Sequence, residues 1–133
     1  MYIIICLDDN NGLAFNHRRQ SQDRIVAEDI SKTVGEKKLW ITDYSRKLFQ
    51  AVSNLEISEN PKGQAKKGEY VFQELETLDT DDEQIEQFII YRWNRVYPAD
   101  VSVEIGAEWK LTETKEIPGF SHEKITKEIY CRE

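Results

Sequence analysis

The chain has 133 residues, of which 39% are hydrophobic, and its 25 acidic and 18 basic residues give a net charge of −7. A chain of this length can bury one hydrophobic core, so we expect a single domain over residues 1–133. The acidic balance disfavours nucleic-acid binding, because a phosphate backbone repels negative charge. No apolar run approaches the roughly 20 residues that span a bilayer, and Cys6 and Cys131 suggest reduced thiols. We therefore expect a cytoplasmic protein that makes no membrane contact.

The first predicted element is a buried strand, Tyr2–Leu7, because its short apolar run is rich in β-branched isoleucine. Residues 8–12 (DDNNG) favour turns and end this strand, and a loop continues to about His17. Loops at the carboxyl ends of central strands are common ligand sites in α/β folds. The loop after the first strand is therefore the predicted position of a site.

A one-sided helix is predicted over residues 22–34, with Ser21 as its N-cap. Val26, Ile30 and Val34 recur every fourth residue and would form its buried face. Asp23 falls in the first turn, where a negative charge favours the helix dipole.

The remaining chain is predicted to consist mainly of short strands. These are expected over residues 39–42, 52–57, 69–74, 87–91, 101–105, 109–117 and 124–132, with a short helix at 47–49, an exposed loop at 61–68 and an acidic turn at 75–86. Strands that alternate with turns and helices are typical of a sheet covered by crossover connections. The sequence thus favours an α/β fold with a sheet of about eight strands and few helices.

The arginines lie in a few clusters along the sequence, namely Arg18, Arg19 and Arg24, then Arg46, then Arg92 and Arg95. A planar guanidinium suits phosphate or carboxylate, so these clusters would provide a local anion site on an acidic protein. Trp93 between Arg92 and Arg95 would stack on a flat anionic ligand. The alternatives are surface salt bridges for the arginines and core packing for the tryptophan.

Other chemistries find little support in the sequence. His17 and His122 do not form a pair at metal-binding spacing and the cysteines are not paired, so we expect no metal site. The His-x-His-x-Asp-His motif of ribonuclease Z is absent. No nucleophile elbow and no glycine-rich phosphate loop is recognisable, and His122 is expected to lie exposed in a loop.

Several segments, taken in order, resemble a dihydrofolate reductase. They are YIIICLDDNNGLAFN (2–16), LWITDYSRKLF (39–49), IIYRWNRVYPAD (89–100), WKLTETKEIPG (109–119) and HEKITKEIYCRE (122–133). The similarity spans most of the chain and implies a dihydrofolate reductase-like fold with a mixed, largely parallel central sheet. It also implies that Asp23 is the substrate-protonating acid and that Ser45 and Arg46 face the phosphates of NADPH at a helix N-terminus.

The chain departs from the family pattern at several positions. Residues 91–94 (YRWN) replace the adjacent glycines that let the cofactor pyrophosphate approach the backbone. Asp43 and Tyr44 replace the glycine and basic residue expected after the second strand. His17, Arg18 and Arg19 stand where apolar residues would receive the pterin.

Three functional hypotheses follow. In the first, the chain lacks the standard reductase cofactor site and binds a small anionic or nucleotide-like ligand; its predicted binding residues are Arg18, Arg19, Ser45, Arg46, Arg92, Trp93 and Arg95. In the second, it is an active NADPH-dependent reductase, which requires Asp23 in an apolar pocket that raises its pKa. In the third, it is a protein-interaction module without a small ligand.

Overall fold

The computed structural model describes residues 1–132. The elements are, in chain order, β1 (Tyr2–Leu7), β2 (Gly12–Phe15), β3 (Arg18–Arg19), α1 (Arg24–Val34), β4 (Leu39–Ile41), a 3₁₀ helix (Asp43–Phe49), β5 (Leu55–Ile57), α2 (Pro61–Gln64), β6 (Tyr70–Phe72), β7 (Gln87–Arg92), β8 (Val101–Ser102), β9 (Trp109–Ile117) and β10 (Ile125–Arg132). Among these residues there is no helix with both the length and the apolar character needed to cross a bilayer.

The main sheet has seven strands in the order β5-β4-β6-β1-β7-β10-β9. The five strands from β5 to β7 are parallel, whereas β10 and β9 are antiparallel to their neighbours. The predicted α/β fold with a mixed, largely parallel central sheet and few helices is therefore confirmed.

Strand β1 lies in the middle of the sheet, between β6 and β7, and separates two hydrophobic clusters. Ile4 faces the cluster that α1 covers with Val26 and Ile30. Ile3 and Ile5 face the opposite cluster. The apolar run of β1 is needed because both faces of the strand are covered.

The loop after β1 differs from the prediction because it contains strands. Residues 12–15 form β2, which pairs with β3 and β8 in a second, three-stranded sheet. The buried carboxylate of Asp8 accepts hydrogen bonds from the backbone amides of Asn10 and Gly12, both at 2.8 Å, and so closes a tight turn. This turn sends the chain back as β2 instead of leaving it as an open loop.

Other boundaries also differ from the sequence prediction. The strand expected over 52–57 begins at Leu55, the strand expected over 101–105 is limited to Val101–Ser102, and the predicted loop at 61–68 contains the short helix α2. Helix α1 begins at Arg24 and is capped by Asp23 rather than by Ser21. Ser21 is therefore free to make the contact described below.

Candidate functional site

A cleft lies between α1, the 3₁₀ helix and the carboxyl end of β1. Its apolar lining includes Leu13, Val26, Ala27, Ile30, Phe49, Phe72 and Trp93, and its polar lining includes Arg19, Gln20, Ser21 and Gln22. The space between the walls, counted to the open mouth, is about 440 Å³, and the part that the centre of a water molecule can enter is about 30 Å³. We call this space the α1 cleft. It is narrow, so a ligand larger than a few water molecules must displace side chains that line it.

An ion pair forms part of the cleft wall. The Arg19 guanidinium donates to the Glu74 carboxylate through Nε at 2.6 Å and through Nη2 at 3.2 Å. Ser45 is buried and donates its hydroxyl proton to the same carboxylate. Burial and the neighbouring Glu74 carboxylate raise the pKa of Cys6, which also lines the cleft, so Cys6 stays a neutral thiol.

The Asp23 carboxylate lies buried at the N-terminus of α1 and holds a second chain segment there. It accepts a hydrogen bond from the Ile25 amide at 2.8 Å, which caps the helix. It also accepts from the backbone amides of Phe120, Ser121 and His122 at 2.9–3.1 Å. Residues 120–122 are thereby fixed against the start of α1.

The His122 ring connects Asp23 to two hydroxyl groups. Its Nδ1 lies 2.9 Å from Asp23 Oδ2, and its Nε2 lies 2.9 Å from Ser21 Oγ and 3.1 Å from the Tyr97 hydroxyl. The ring stacks on Trp93 with a centroid separation of 4.6 Å and an interplanar angle of 23°. We call Ser21, Asp23, Tyr97 and His122 the His122 cluster.

The charge state of Asp23 determines the proton positions in this cluster. Burial by itself raises the pKa of Asp23, but hydrogen bonds from the Phe120 amide, from His122 and from further amides outweigh it and hold the pKa well below its ordinary value of 3.8. The carboxylate is therefore ionised and only accepts hydrogen bonds. In the neutral ring Nδ1 consequently carries the proton, and Nε2, which has a single lone pair, accepts a hydrogen bond from one of the two hydroxyl groups.

The structure brings together only some of the predicted site residues. Arg19, Asp23 and Trp93 line the α1 cleft, and Ser45 joins it through Glu74. Arg46 is paired with Asp43, and Arg92 is paired with Glu128. Arg18 and Arg95 are exposed and do not line the cleft.

The residues that the resemblance assigns to the cofactor do not fit a phosphate group as they stand. The Ser45 amide donates to the Thr42 carbonyl, and the Ser45 hydroxyl is taken up by Glu74. Nε of Arg46 donates to Asp43 at 2.8 Å. In the segment 91–94, the side chains of Tyr91 and Trp93 are buried in the core instead of leaving space above the backbone.

The expectation that His122 is exposed is wrong, since the residue is only 5% exposed. Its partner Asp23 lies 99 positions earlier in the chain, so no local pattern links the two residues. The turn at Pro118 and Gly119 was the only local signal that the chain changes direction here. Within residues 1–132, no three or more histidine, cysteine, aspartate or glutamate side chains gather in a way that would hold a metal ion.

The strand order, the crossover helix and the cleft beside the central strand define a protein of the dihydrofolate reductase-like fold. Among solved structures, the chain is similar to a dihydrofolate reductase from Enterococcus faecalis complexed with NADP(H) and RAB-propyl. The TM-score is 0.65 at 10% sequence identity, and the match covers 98% of this chain and 95% of that chain. No family model matches the sequence, and no curated protein matches it. The similarity shows the fold and leaves the activity to be argued from the site.

Proposed function

We propose that the chain binds a small, mainly apolar molecule in the α1 cleft. The observation that carries this proposal is the composition of the cleft, in which an apolar lining is bordered by the polar side chains of Arg19, Gln20 and Ser21. Ligand sites commonly combine apolar walls with a few polar groups that orient the ligand. The cleft also lies at the carboxyl end of a central strand, where α/β folds bind ligands.

The charges around the cleft favour an uncharged ligand body. Arg19 is neutralised by Glu74, and Asp23 adds a second carboxylate close to the lining. Arg46 and Arg92 are also paired with acidic residues. Binding of an anionic or nucleotide-like ligand thus stays a prediction. It would depend on the exposed residues Arg18 and Arg95, or on Arg19 contacting the ligand while it remains paired with Glu74.

The reductase hypothesis receives less support from the geometry. Proton donation needs a carboxyl group with a raised pKa, whereas hydrogen bonds lower the pKa of Asp23 despite its burial. Ser45 and Arg46 are engaged by Glu74 and Asp43. These contacts support a ligand site without the standard reductase cofactor site.

The binding proposal is tested by titration with N-phenyl-1-naphthylamine, an uncharged dye whose fluorescence rises in apolar sites. Ala27 lines the cleft from α1, so Ala27→Leu should fill it and weaken dye binding by about tenfold, which is about 1.4 kcal/mol. Glu28→Leu is the matched control, since this exposed neighbour on the same helix adds the same side chain outside the cleft. Equal affinity in both variants, with their folding checked by circular dichroism, would place the dye elsewhere and overturn the proposal.

The charge of the ligand is tested with a second dye. 1-Anilinonaphthalene-8-sulfonate has the same apolar body and adds one sulfonate. We expect it to bind the wild-type chain no more tightly than the uncharged dye, because the cleft arginine is already paired. If the sulfonate dye binds more tightly and Arg18→Gln or Arg95→Gln abolishes that gain, the hypothesis of an anionic ligand would be restored. Heat released or absorbed on titration with NADPH would restore the reductase hypothesis.

A further inference from the structure

We infer that Ser21, His122 and Asp23 form a Ser-His-Asp triad that hydrolyses small carboxylic esters bound in the α1 cleft. This inference rests on the proposed ligand site, because the cleft would hold the apolar acyl group of the ester. Ser21 and His122 are the catalytic residues, and Asp23 is a positioning residue.

The geometry supplies each contact that such a triad needs. A nucleophile and its base must lie within hydrogen-bond reach, and a third group must orient the base. Ser21 Oγ lies 2.9 Å from His122 Nε2, and Asp23 Oδ2 lies 2.9 Å from Nδ1 of the same ring. Ser21 also lines the α1 cleft, so its hydroxyl group lies beside the space where an ester would bind.

Burial of the base and of its orienting carboxylate strengthens the arrangement. The Asp23 and His122 side chains are 0% and 4% exposed, so water does not screen the contact between them. Stacking on Trp93 fixes the plane of the ring. An ionised Asp23 holds the ring in the tautomer whose Nε2 can accept a proton, as in other Ser-His-Asp sites.

The backbone amide after the nucleophile is the candidate donor for the developing oxyanion. The backbone amide of Gln22, the residue after Ser21, donates to no acceptor within the part of the chain that the structure describes. In known sites of this type, the amide after the nucleophile serves as an oxyanion donor.

The reaction balances with water as the only co-reactant. Ser21 Oγ attacks the ester carbonyl carbon and its proton passes to Nε2 of His122; the bond to the alcohol oxygen then breaks, and Nε2 returns the proton to the leaving alcohol. Water next attacks the acyl-serine, loses its proton to Nε2, and displaces Ser21 Oγ, which regains that proton. The products are a carboxylic acid and an alcohol.

Other nucleophiles near the cleft fit less well. Cys6 lines the cleft, but it stays a neutral thiol because burial and Glu74 raise its pKa. The Tyr97 hydroxyl lies 3.1 Å from Nε2 of His122 and competes with Ser21 for its lone pair, yet Tyr97 does not line the cleft. Ser21 is the hydroxyl that both contacts the base and faces the ligand space.

The test is covalent labelling with diisopropyl fluorophosphate, which phosphorylates an activated serine oxygen and releases fluoride. Intact mass should show one adduct on the wild-type chain, and peptide mapping should place it on Ser21. Ser21→Ala should abolish labelling, whereas Ser53→Ala, which changes an exposed serine outside the cluster, should label like wild type. His122→Asn should slow labelling on the order of 100-fold, because it removes the general base.

Ester turnover provides a second readout. p-Nitrophenyl acetate should release p-nitrophenol at a rate that Ser21→Ala and His122→Asn each lower by a similar factor, because the two residues act as a unit. An adduct on another residue, no adduct at all, or equal labelling of wild type and His122→Asn would overturn the triad.

Dye binding separates this inference from the binding proposal. Retained dye binding in a wild-type chain that does not label would overturn the triad while leaving the binding proposal standing. If Ser21 is labelled but Ala27→Leu does not weaken dye binding, the triad would be supported and the binding proposal would be overturned.

Discussion

Asp23 lies out of contact with water beneath the start of α1, and two opposing effects act on its carboxylate. Loss of hydration favours the protonated acid, whereas donated hydrogen bonds favour the ion. The backbone amides of Ile25, Phe120, Ser121 and His122 all point at this group. The donated hydrogen bonds outweigh the loss of hydration and lower the pKa of Asp23. Asp23 is therefore suited to orienting a histidine and poorly suited to giving up a proton.

Acid should therefore destabilise the fold partly through Asp23. Its pKa is lowered in the folded state from the ordinary value of 3.8, so its stabilising contribution is complete above that value and is lost as the pH falls below it. By pH 3 the loss from this residue should reach about 1 kcal/mol. Asp23→Asn has no such charge. In urea denaturation, the free energy of unfolding of this variant should therefore fall below that of wild type by less at pH 3 than at pH 7.

The control for this measurement is Asp43→Asn. The Asp43 side chain is 77% exposed and pairs with Arg46 at the surface, where an ion pair contributes little. The free energy of unfolding of Asp43→Asn should stay within about 0.5 kcal/mol of the wild-type value at both pH values. A deficit of Asp23→Asn that is the same at pH 3 and pH 7 would contradict the role assigned to the carboxylate.

Asp23 was named through the resemblance to dihydrofolate reductases, since its local pattern indicated only a stabilising charge at a helix start. Trp93 was named because a tryptophan between arginines is unusual. His122 was misplaced because its burial depends on a contact with a residue 99 positions away. Ser21 was assigned the capping role that Asp23 has in the structure.

At the scale of elements, the site depends on how the turn after β9 meets the start of α1. Gly119 packs so closely that an added Cβ would lie 2.5 Å from the His122 carbonyl oxygen and 2.9 Å from Asp23 Oδ2. One of these atoms belongs to backbone and the other to a buried carboxylate, so neither can move freely. The turn requires a residue without a side chain.

Gly119→Ala should consequently destabilise the fold by about 1–3 kcal/mol, because the extra methyl group pushes residues 120–122 away from α1. The same change should slow the labelling of Ser21, since it displaces the base. Gly106→Ala is the matched control, because the atoms that its Cβ would meet belong to the flexible end of the Glu108 side chain. Equal denaturation midpoints for the two variants would show that the turn tolerates a side chain.

The elements themselves were largely predictable where apolar runs are continuous. β1, β7 and β10 were anticipated within one or two residues because their apolar or alternating patterns are clear. β2 was taken for loop because its formation depends on the turn that Asp8 closes and on pairing with β8. Pairing across the chain leaves no local signature in such short strands.

At the scale of the whole molecule, the dihydrofolate reductase-like fold was predicted from the resemblance, and no order of the strands was predicted. The strands next to β1, namely β6 and β7, lie some 65 or more positions away along the chain, and periodicity does not specify such neighbours. The resemblance to a dihydrofolate reductase predicted the fold, and the similarity to a solved dihydrofolate reductase structure confirms the fold. The resemblance could not predict the candidate site in the same way, because the residues of that site differ from the family pattern.

The position of each strand in the sheet predicts how well its amides are protected from hydrogen exchange. β1 pairs on both sides and its residues Ile3, Ile4 and Ile5 are 0% exposed, so these amides should exchange only through global unfolding. β9 pairs only with β10 and most of its side chains are exposed, so local opening suffices. Peptides over 110–116 should exchange at least about tenfold faster than peptides over 3–7 when followed by mass spectrometry. Equal protection in the two strands would mean that β9 is covered, for example by a second chain. In that case β9 would not be an edge strand of the sheet.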